Sequence, residues 1–256
     1  MLIIGEKLNG AIKSVAEAIR NRDGAFIRDL ASRQLDSRAD YLDICSGVPE
    51  GDADVLGWMI DLIQTDHPDV RFSLDSPSPD TILACIPLCK NPGFINSVSL
   101  EGDKIAKILP AVSGEEGWKI IALLLDESGM PETVEKRMES FHRIVEKAAE
   151  IGVSMDRLYF DPLVFTVATS PDSFLNFIGA MMNGMDSAIM DPTNRDMLGG
   201  VYAAEALLGI DEYCIEYLSA YRDDLFGVQI SGHERPVLPS SWGAPELSGD
   251  ISQGAH

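Results

Sequence analysis

The residues best suited to chemistry in this chain are carboxylates and amides that recur at the ends of short apolar runs. Glu6 closes LIIGE (2–6), Asp43 stands within YLDIC (41–45), Asp75 closes RFSLD (71–75) and Asn96 lies in GFINS (93–97). Asp126 closes KIIALLLD (119–126), Asp161 lies in RLYFDP (157–162) and Asp191 in SAIMDP (187–192). A carboxylate buried at such a place costs on the order of several kcal/mol unless it finds donors. A single strand that ends in Asp is commonplace and anchors its own loop or caps the next helix. Acids and an amide gathered from several strands would do more, holding either a divalent metal for enolate or phosphate chemistry or a ligand rich in N–H donors. Metal sites of that kind usually recruit a base close by, and His67, His142, His233 and His256 all fall off the strand ends.

What gathers such residues is the alternation of elements. Between the apolar runs lie amphipathic stretches: Val15, Ala18 and Ile19; then Phe26, Ile27, Leu30 and Ala31; then Leu56, Met59, Ile60 and Ile63 within 54–65. Ser78-Pro79-Asp80 reads as a helix start, and Pro87 should disturb that helix near its end. Further helices are expected over 103–109, 131–151, 173–185, 195–208 and 211–225. Strands alternating with helices imply parallel strands, and a chain of 256 residues suits one α/β (β/α)8 barrel of the TIM type. Seven βα steps are countable, so the barrel is expected to be short of one unit. In such a barrel all the strand ends meet at one mouth. Carboxylates and an Asn amide there fit a pterin ring, whose amino and ring N–H groups pair with acceptors. The barrel domain is expected over 1–226, with a Gly-, Pro- and Ser-rich peripheral or flexible tail over 227–256.

Composition narrows the partners. A formal net charge of −21 repels phosphate backbones and anionic membranes, so neither nucleic acid nor a membrane is an expected partner. No apolar run reaches the ~18 residues of a membrane span. Cys45, Cys85, Cys89 and Cys214 have no metal-ligand spacing and are expected to be reduced thiols of a cytoplasmic protein. No metal site is expected. The patterns G-x-S-x-G, G-x-x-x-x-G-K-[ST] and a post-strand G-x-G-x-x-G are missing, which removes common hydrolase and nucleotide-binding readings.

Five short segments in order, MLIIGEKLNG (1–10), LDICSG (42–47), SLDS (73–76), INSVSLEGDK (95–104) and YFDPL (159–163), resemble the methyltetrahydrofolate:corrinoid methyltransferases, which are pterin-binding barrels. The resemblance covers roughly residues 1–225. It implies that Asp75, Asn96 and Asp161 anchor the pterin, that Glu6, Asn9 and Asp43 form a polar cluster at the bottom of that pocket, and that Asp191 adds a polar group at the last strand end. It further implies a one-carbon transferase with tetrahydrofolate or methyltetrahydrofolate as substrate, a cobalamin-type corrinoid carried by a partner protein, and a homodimer. A dihydropteroate synthase-like enzyme and a degenerate, non-catalytic folate-binding barrel are the alternatives. The sequence departs from the family at one place: no Gly-x-Ser-Asn strand stands between Asp161 and Asp191. The Asn of that motif bonds near N5 in the family, so no catalytic residue is assigned. Asn176 and Asn183, the nearest amides, fall in an expected helix.

Overall fold

The computed structural model describes residues 1–48, 51–131, 133–163 and 179–227. Within them, seven parallel strands form one sheet in the order β6-β5-β4-β3-β2-β1-β7. The strands are β1 (Leu2–Asn9), β2 (Tyr41–Cys45), β3 (Phe72–Asp75), β4 (Phe94–Val98), β5 (Lys119–Leu123), β6 (Leu158–Asp161) and β7 (Ser187–Met190). All seven expected runs became strands. Among the described residues the sheet is a curled, unclosed barrel with β6 and β7 as its two unpaired edges.

Helices cover the outer face: α1 (Lys13–Asn21), α2 (Gly24–Asp36), α3 (Asp52–Asp66), α4 (Pro79–Cys85), α5 (Lys104–Val112), α6 (Val134–Ile151), α7 (Arg195–Leu207) and α8 (Ile215–Arg222). Ser78 caps α4 by accepting from the Thr81 N–H, with Pro79 in the first turn. Pro87 lies in a 3-10 turn, Ile86–Leu88, that ends that helix. Helix α6 starts at Val134 rather than at 131, because Thr133 is the residue whose hydroxyl caps it, accepting from the Lys136 N–H. Helix α5 runs past Leu109, through Pro110, to Val112. The helix expected over 211–225 is broken, because Tyr213 and Cys214 take left-handed backbone angles and only Ile215–Arg222 is α-helical. Residues 173–178 of the helix expected over 173–185 lie outside the described residues, while 179–182 are helical; the tail beyond Gly227 also lies outside them.

Strand alternation sorts the side chains. Leu42, Ile44, Leu74, Ile95, Ile120 and Ala122 face the helices and join the main core. Ile4, Tyr41, Phe94 and Ile121 point the other way and pack together inside the curl, with Leu123 and Tyr159 against them. Lys119 sits at the N-terminal end of this inner layer, its ammonium 5.1–5.6 Å from the rings of Tyr41, Phe94 and Tyr159. The inner space is therefore filled at the bottom by apolar and aromatic side chains. Polar residues are left to the C-terminal rim.

Candidate functional site

That rim encloses a cavity of about 520 Å³, within the range of small-molecule sites. Five of the sequence-derived residues line it: Glu6, Asn9, Asp43, Asp75 and Asn96. They come from β1 to β4, and each has a local reason for its position.

Strand β1 carries a bulge between Gly5 and Leu8, which shifts its register on β2 and re-aims the residues between them. Gln34 of α2 holds the bulge by accepting the Lys7 N–H at 2.9 Å. Position 5 must be glycine for this, since a Cβ there would stand 2.7 Å from the Gln34 Oε1. Glu6 is thereby presented to the open mouth. Partial burial, then repulsion from Asp191, raises its pKa, and Lys7 opposes. Asn9 ends the strand, accepting the Ala11 N–H at 2.8 Å.

Asp43 is almost fully buried at 3% exposure. Its Oδ1 accepts the Asn96 side-chain N–H at 3.0 Å. That bond commits the Asn96 amide N–H and leaves its carbonyl oxygen to accept. Burial, then the charge of Asp75, pushes Asp43 up to about 7, against the neighbouring Ser73 hydroxyl and Asn96 amide. Asp75 is also raised, first by burial; the Cys45 thiol and the Lys104 ammonium pull it back, and Asp52 adds to the rise. Both carboxylates are thus held above the ordinary carboxylate range, because burial disfavours their charged forms and the charge of Asp75 opposes ionisation of Asp43.

Asp161 and Asp191 occupy strand ends but do not line the cavity. Asp161 is in register with Leu123 and accepts the Leu163 N–H at 2.7 Å. Asp191 accepts the Thr193 N–H at 3.0 Å and hydroxyl at 2.6 Å, and pairs with Lys7 at 3.0 Å. Its burial would raise its pKa, but the Thr193 and Lys7 bonds outweigh that and the net shift is downward. Asp126 stands further off: β5 ends at Leu123, and Asp126 accepts from Ser128 and Arg143 instead. For these three acids the loop-anchoring use is what the geometry displays.

The cavity also holds residues that the sequence reading passed over. Cys45 lies two residues beyond Asp43 on the same face of β2, so strand alternation alone could have placed it. Burial, then the Asp75 charge, pushes its thiol up to about 12. Ser76 and Ser97 directly follow Asp75 and Asn96, and a register shift in β4 between Asn96 and Val98 gives Ser97 its place. Lys104, the first residue of α5, brings a cation to the mouth. Lys7 lies within β1, which runs three residues beyond the expected LIIGE. Among the described residues, no three His, Cys, Asp or Glu side chains converge as a metal site.

The sequence profile of the pterin binding enzymes matches residues 2–207. The chain is 38% identical over 267 residues to the methylcorrinoid:tetrahydrofolate methyltransferase of Eubacterium limosum, covering 89% of this chain and 98% of that protein. It is 30% identical over 185 residues to the methionine synthase of Mycobacterium leprae, covering 67% of this chain but 15% of that larger protein. A dihydropteroate synthase of Xanthomonas albilineans, solved with 7,8-dihydropteroate, has the same fold at 16% identity, with a TM-score of 0.50 over 87% of this chain and 92% of that one.

Proposed function

The chain belongs to the family of pterin binding enzymes, and from that premise we propose that it transfers the N5 methyl group between a tetrahydrofolate and the cobalt of a corrinoid carried by a separate protein. The observation that carries this reading is the Asp43, Asn96 and Asp75 set, in which Asn96 is fixed on Asp43 and all three line a mouth of about 520 Å³. The similarity to the methylcorrinoid:tetrahydrofolate methyltransferase of Eubacterium limosum supports the same chemistry.

In this reading the pterin lies over the apolar inner layer. Asp75 accepts its N–H donors, and Asn96 offers the carbonyl oxygen that Asp43 has left unused. Glu6 and Asn9 add polar groups at the mouth, and Asp161 and Asp191 stand at the neighbouring strand ends of the rim. In transfer toward folate, the N5 lone pair attacks the methyl carbon as the cobalt–carbon bond breaks and leaves its electron pair on cobalt. N5 then sheds its proton. The reverse direction returns a proton to N5 as Co(I) takes the methyl. No covalent enzyme intermediate is needed, so the protein acts by orientation and by groups whose bonds strengthen as charge moves. The corrinoid protein and the folate are substrates; the barrel itself holds neither permanently.

A second reading is a folate-binding barrel without turnover. One fact favours it. The Gly-x-Ser-Asn motif is missing from the sequence, and an alignment of 267 residues that covers only 89% of this 256-residue chain leaves the relative with residues that have no counterpart here. The two readings separate in one experiment. The protein is mixed with a methylated corrinoid protein and tetrahydrofolate, and the cobalt spectrum is followed. Loss of the methyl-cobalt band with formation of methyltetrahydrofolate supports transfer, while folate binding with an unchanged spectrum leaves only the binder.

We further propose a homodimer. Leu207, Ile210, Tyr213 and Ile215 are exposed apolar side chains on one stretch of chain after β7, a kind of surface that a second subunit can cover. Light scattering of the wild type against Tyr213→Asp tests this. A cytoplasmic setting fits the four free cysteines.

A further inference from the structure

Asp52 opens helix α3 and lies outside the cavity, yet it is 8% exposed and has both carboxylate oxygens occupied. Its Oδ1 accepts the Ser46 hydroxyl and its Oδ2 accepts the Ser76 hydroxyl. These serines belong to different loops. Ser46 follows Cys45 at the end of β2, and Ser76 follows Asp75 at the end of β3. Both are 2% exposed. A carboxylate in the first turn of a helix is ordinary, since the helix dipole favours it there. A first-turn carboxylate that takes one hydroxyl from each of two neighbouring strand ends is not explained by the dipole.

The arrangement extends to a third strand end. Gly10, just past β1, donates its N–H to the Cys45 carbonyl at 2.9 Å. A Cβ on Gly10 would stand 1.9 Å from the Ser46 carbonyl oxygen, and one on Gly47 would stand 2.5 Å from the Gly10 carbonyl carbon. The backbones after β1 and β2 therefore touch, and Asp52 ties the second of them to the loop after β3.

We propose that Asp52 is a positioning residue for pterin binding: through Ser46 and Ser76 it sets how Cys45 and Asp75, side by side at the ends of β2 and β3, are presented to the mouth. It acts through those residues and touches no ligand. The proposal rests on the pterin reading of the cavity. Asp52 also acts on Asp75 by charge. Around Asp75 stand Asp43 and Cys45 from β2, Lys104 from α5 and Asp52 from α3; the Asp52 charge raises Asp75 and Lys104 lowers it. An amide at position 52 keeps an acceptor for one serine and removes that charge.

The test compares wild type, Asp52→Asn, Asp52→Ala and the double variant Ser46→Ala/Ser76→Ala. Methyltetrahydrofolate affinity is measured by calorimetry, and the Asp75 carboxylate is titrated by carbon NMR in the free protein. Affinity is expected to fall about 10-fold or more in Asp52→Ala and in the double serine variant, and about 3-fold in Asp52→Asn. In Asp52→Asn the Asp75 titration is expected to move to lower pH, which a purely structural role would not produce. Wild-type affinity in both Asp52→Ala and the double serine variant overturns the proposal, as does an unmoved Asp75 titration in Asp52→Asn. If Asp52→Ala does not fold, the other two variants decide. If wild type binds no folate, the pterin reading fails, while the titration in free protein still decides whether Asp52 sets the state of Asp75.

Discussion

The two sides of this mouth are built differently. On the side of β2, β3 and β4, the acids face inward and engage neighbours of their own layer: Asn96 donates to Asp43, and Asp75 meets Cys45 and Lys104. Behind them stands the main core, with Phe72, Leu74, Ile44 and Ile95 at 0–1% exposure. On the side of β6 and β7, the acids are spent on their own loops, Asp161 on Leu163 and Asp191 on Thr193. Their backing is thinner; β7 leans on a small cluster of Ile3, Met190, Leu198, Val201 and Tyr202. Strand-end carboxylates of equal standing in the sequence thus serve two purposes. Those with a neighbour of their own layer to bond stay aimed into the cavity, and those beside an edge strand hold the chain that turns away.

The sharpest way to break this contrast is to remove one acid from each side. Asp75→Ala is expected to weaken tetrahydrofolate binding by about 100-fold, the loss of two charged hydrogen bonds at roughly 1.5 kcal/mol each. Asp161→Ala is expected to cost about 10-fold or less, because one of its oxygens already serves Leu163. Calorimetry on both variants settles it. Equal losses would mean that the loop bond at Asp161 does not divide the two sides.

The inward side should also show in stability against pH. Asp43 has a folded pKa of about 7, well above the ordinary carboxylate value near 4. Between those values the native state holds a proton that the unfolded chain has released. Its contribution to stability is therefore present at low pH, is lost as pH rises from about 4 to 7 at roughly 1.4 kcal/mol per unit, and is flat above 7. Asp43→Asn abolishes this dependence. The urea midpoint of the variant is expected to gain on that of wild type from pH 5 to pH 7 and then to run parallel. A difference that stays constant over that range would remove Asp43 as the buried proton holder.

Cys45 gives a smaller effect on the same side. With its thiol pushed up to about 12, it carries roughly a thousand-fold less thiolate than an ordinary cysteine. Iodoacetamide at pH 8 is expected to leave it unmodified, as read by mass spectrometry. Cys45→Ala is expected to lower folate affinity only about 3-fold, by removing a bond that steadies Asp75. Rapid alkylation of Cys45 would show the mouth to be wetter and less acidic than its packing implies.

Legibility in the sequence follows the same division. The strands were readable because their apolar runs are short and unbroken, and YLDIC became β2 without a shift of either end. That Asp43, Asp75 and Asn96 share the cavity face was readable because period-2 alternation decides the face once the strand is known. What stayed hidden depends on contacts distant in sequence. Nothing local announces that Gln34 holds the bulge that turns Glu6, or that Asp52 takes hydroxyls from two loops. Asp126 misled for a related reason: the apolar run continues to Leu125, but ladder pairing stops at Leu123, and only pairing makes a strand end. Lys104 was overlooked because a helix start, not a strand, carries it to the mouth.

Asp191 should have the least effect of all, and its reason completes the contrast. Asp191→Asn keeps an oxygen for the Thr193 N–H and hydroxyl, so the turn after β7 survives. It loses the charge that pairs with Lys7 and that repels Glu6. Because the Thr193 and Lys7 bonds hold Asp191 below its ordinary value, its own contribution to stability is present at neutral pH and is lost only as the solution becomes strongly acidic. Folate affinity at pH 7 is therefore expected to change by less than about 3-fold, since a screened, partly exposed pair contributes little. Glu6, freed of the like charge, should titrate at lower pH than in wild type, and carbon NMR of its carboxylate reads this directly. A large loss of affinity in Asp191→Asn would make the edge side a gripping side as well, and the mouth would then close on its ligand from both halves.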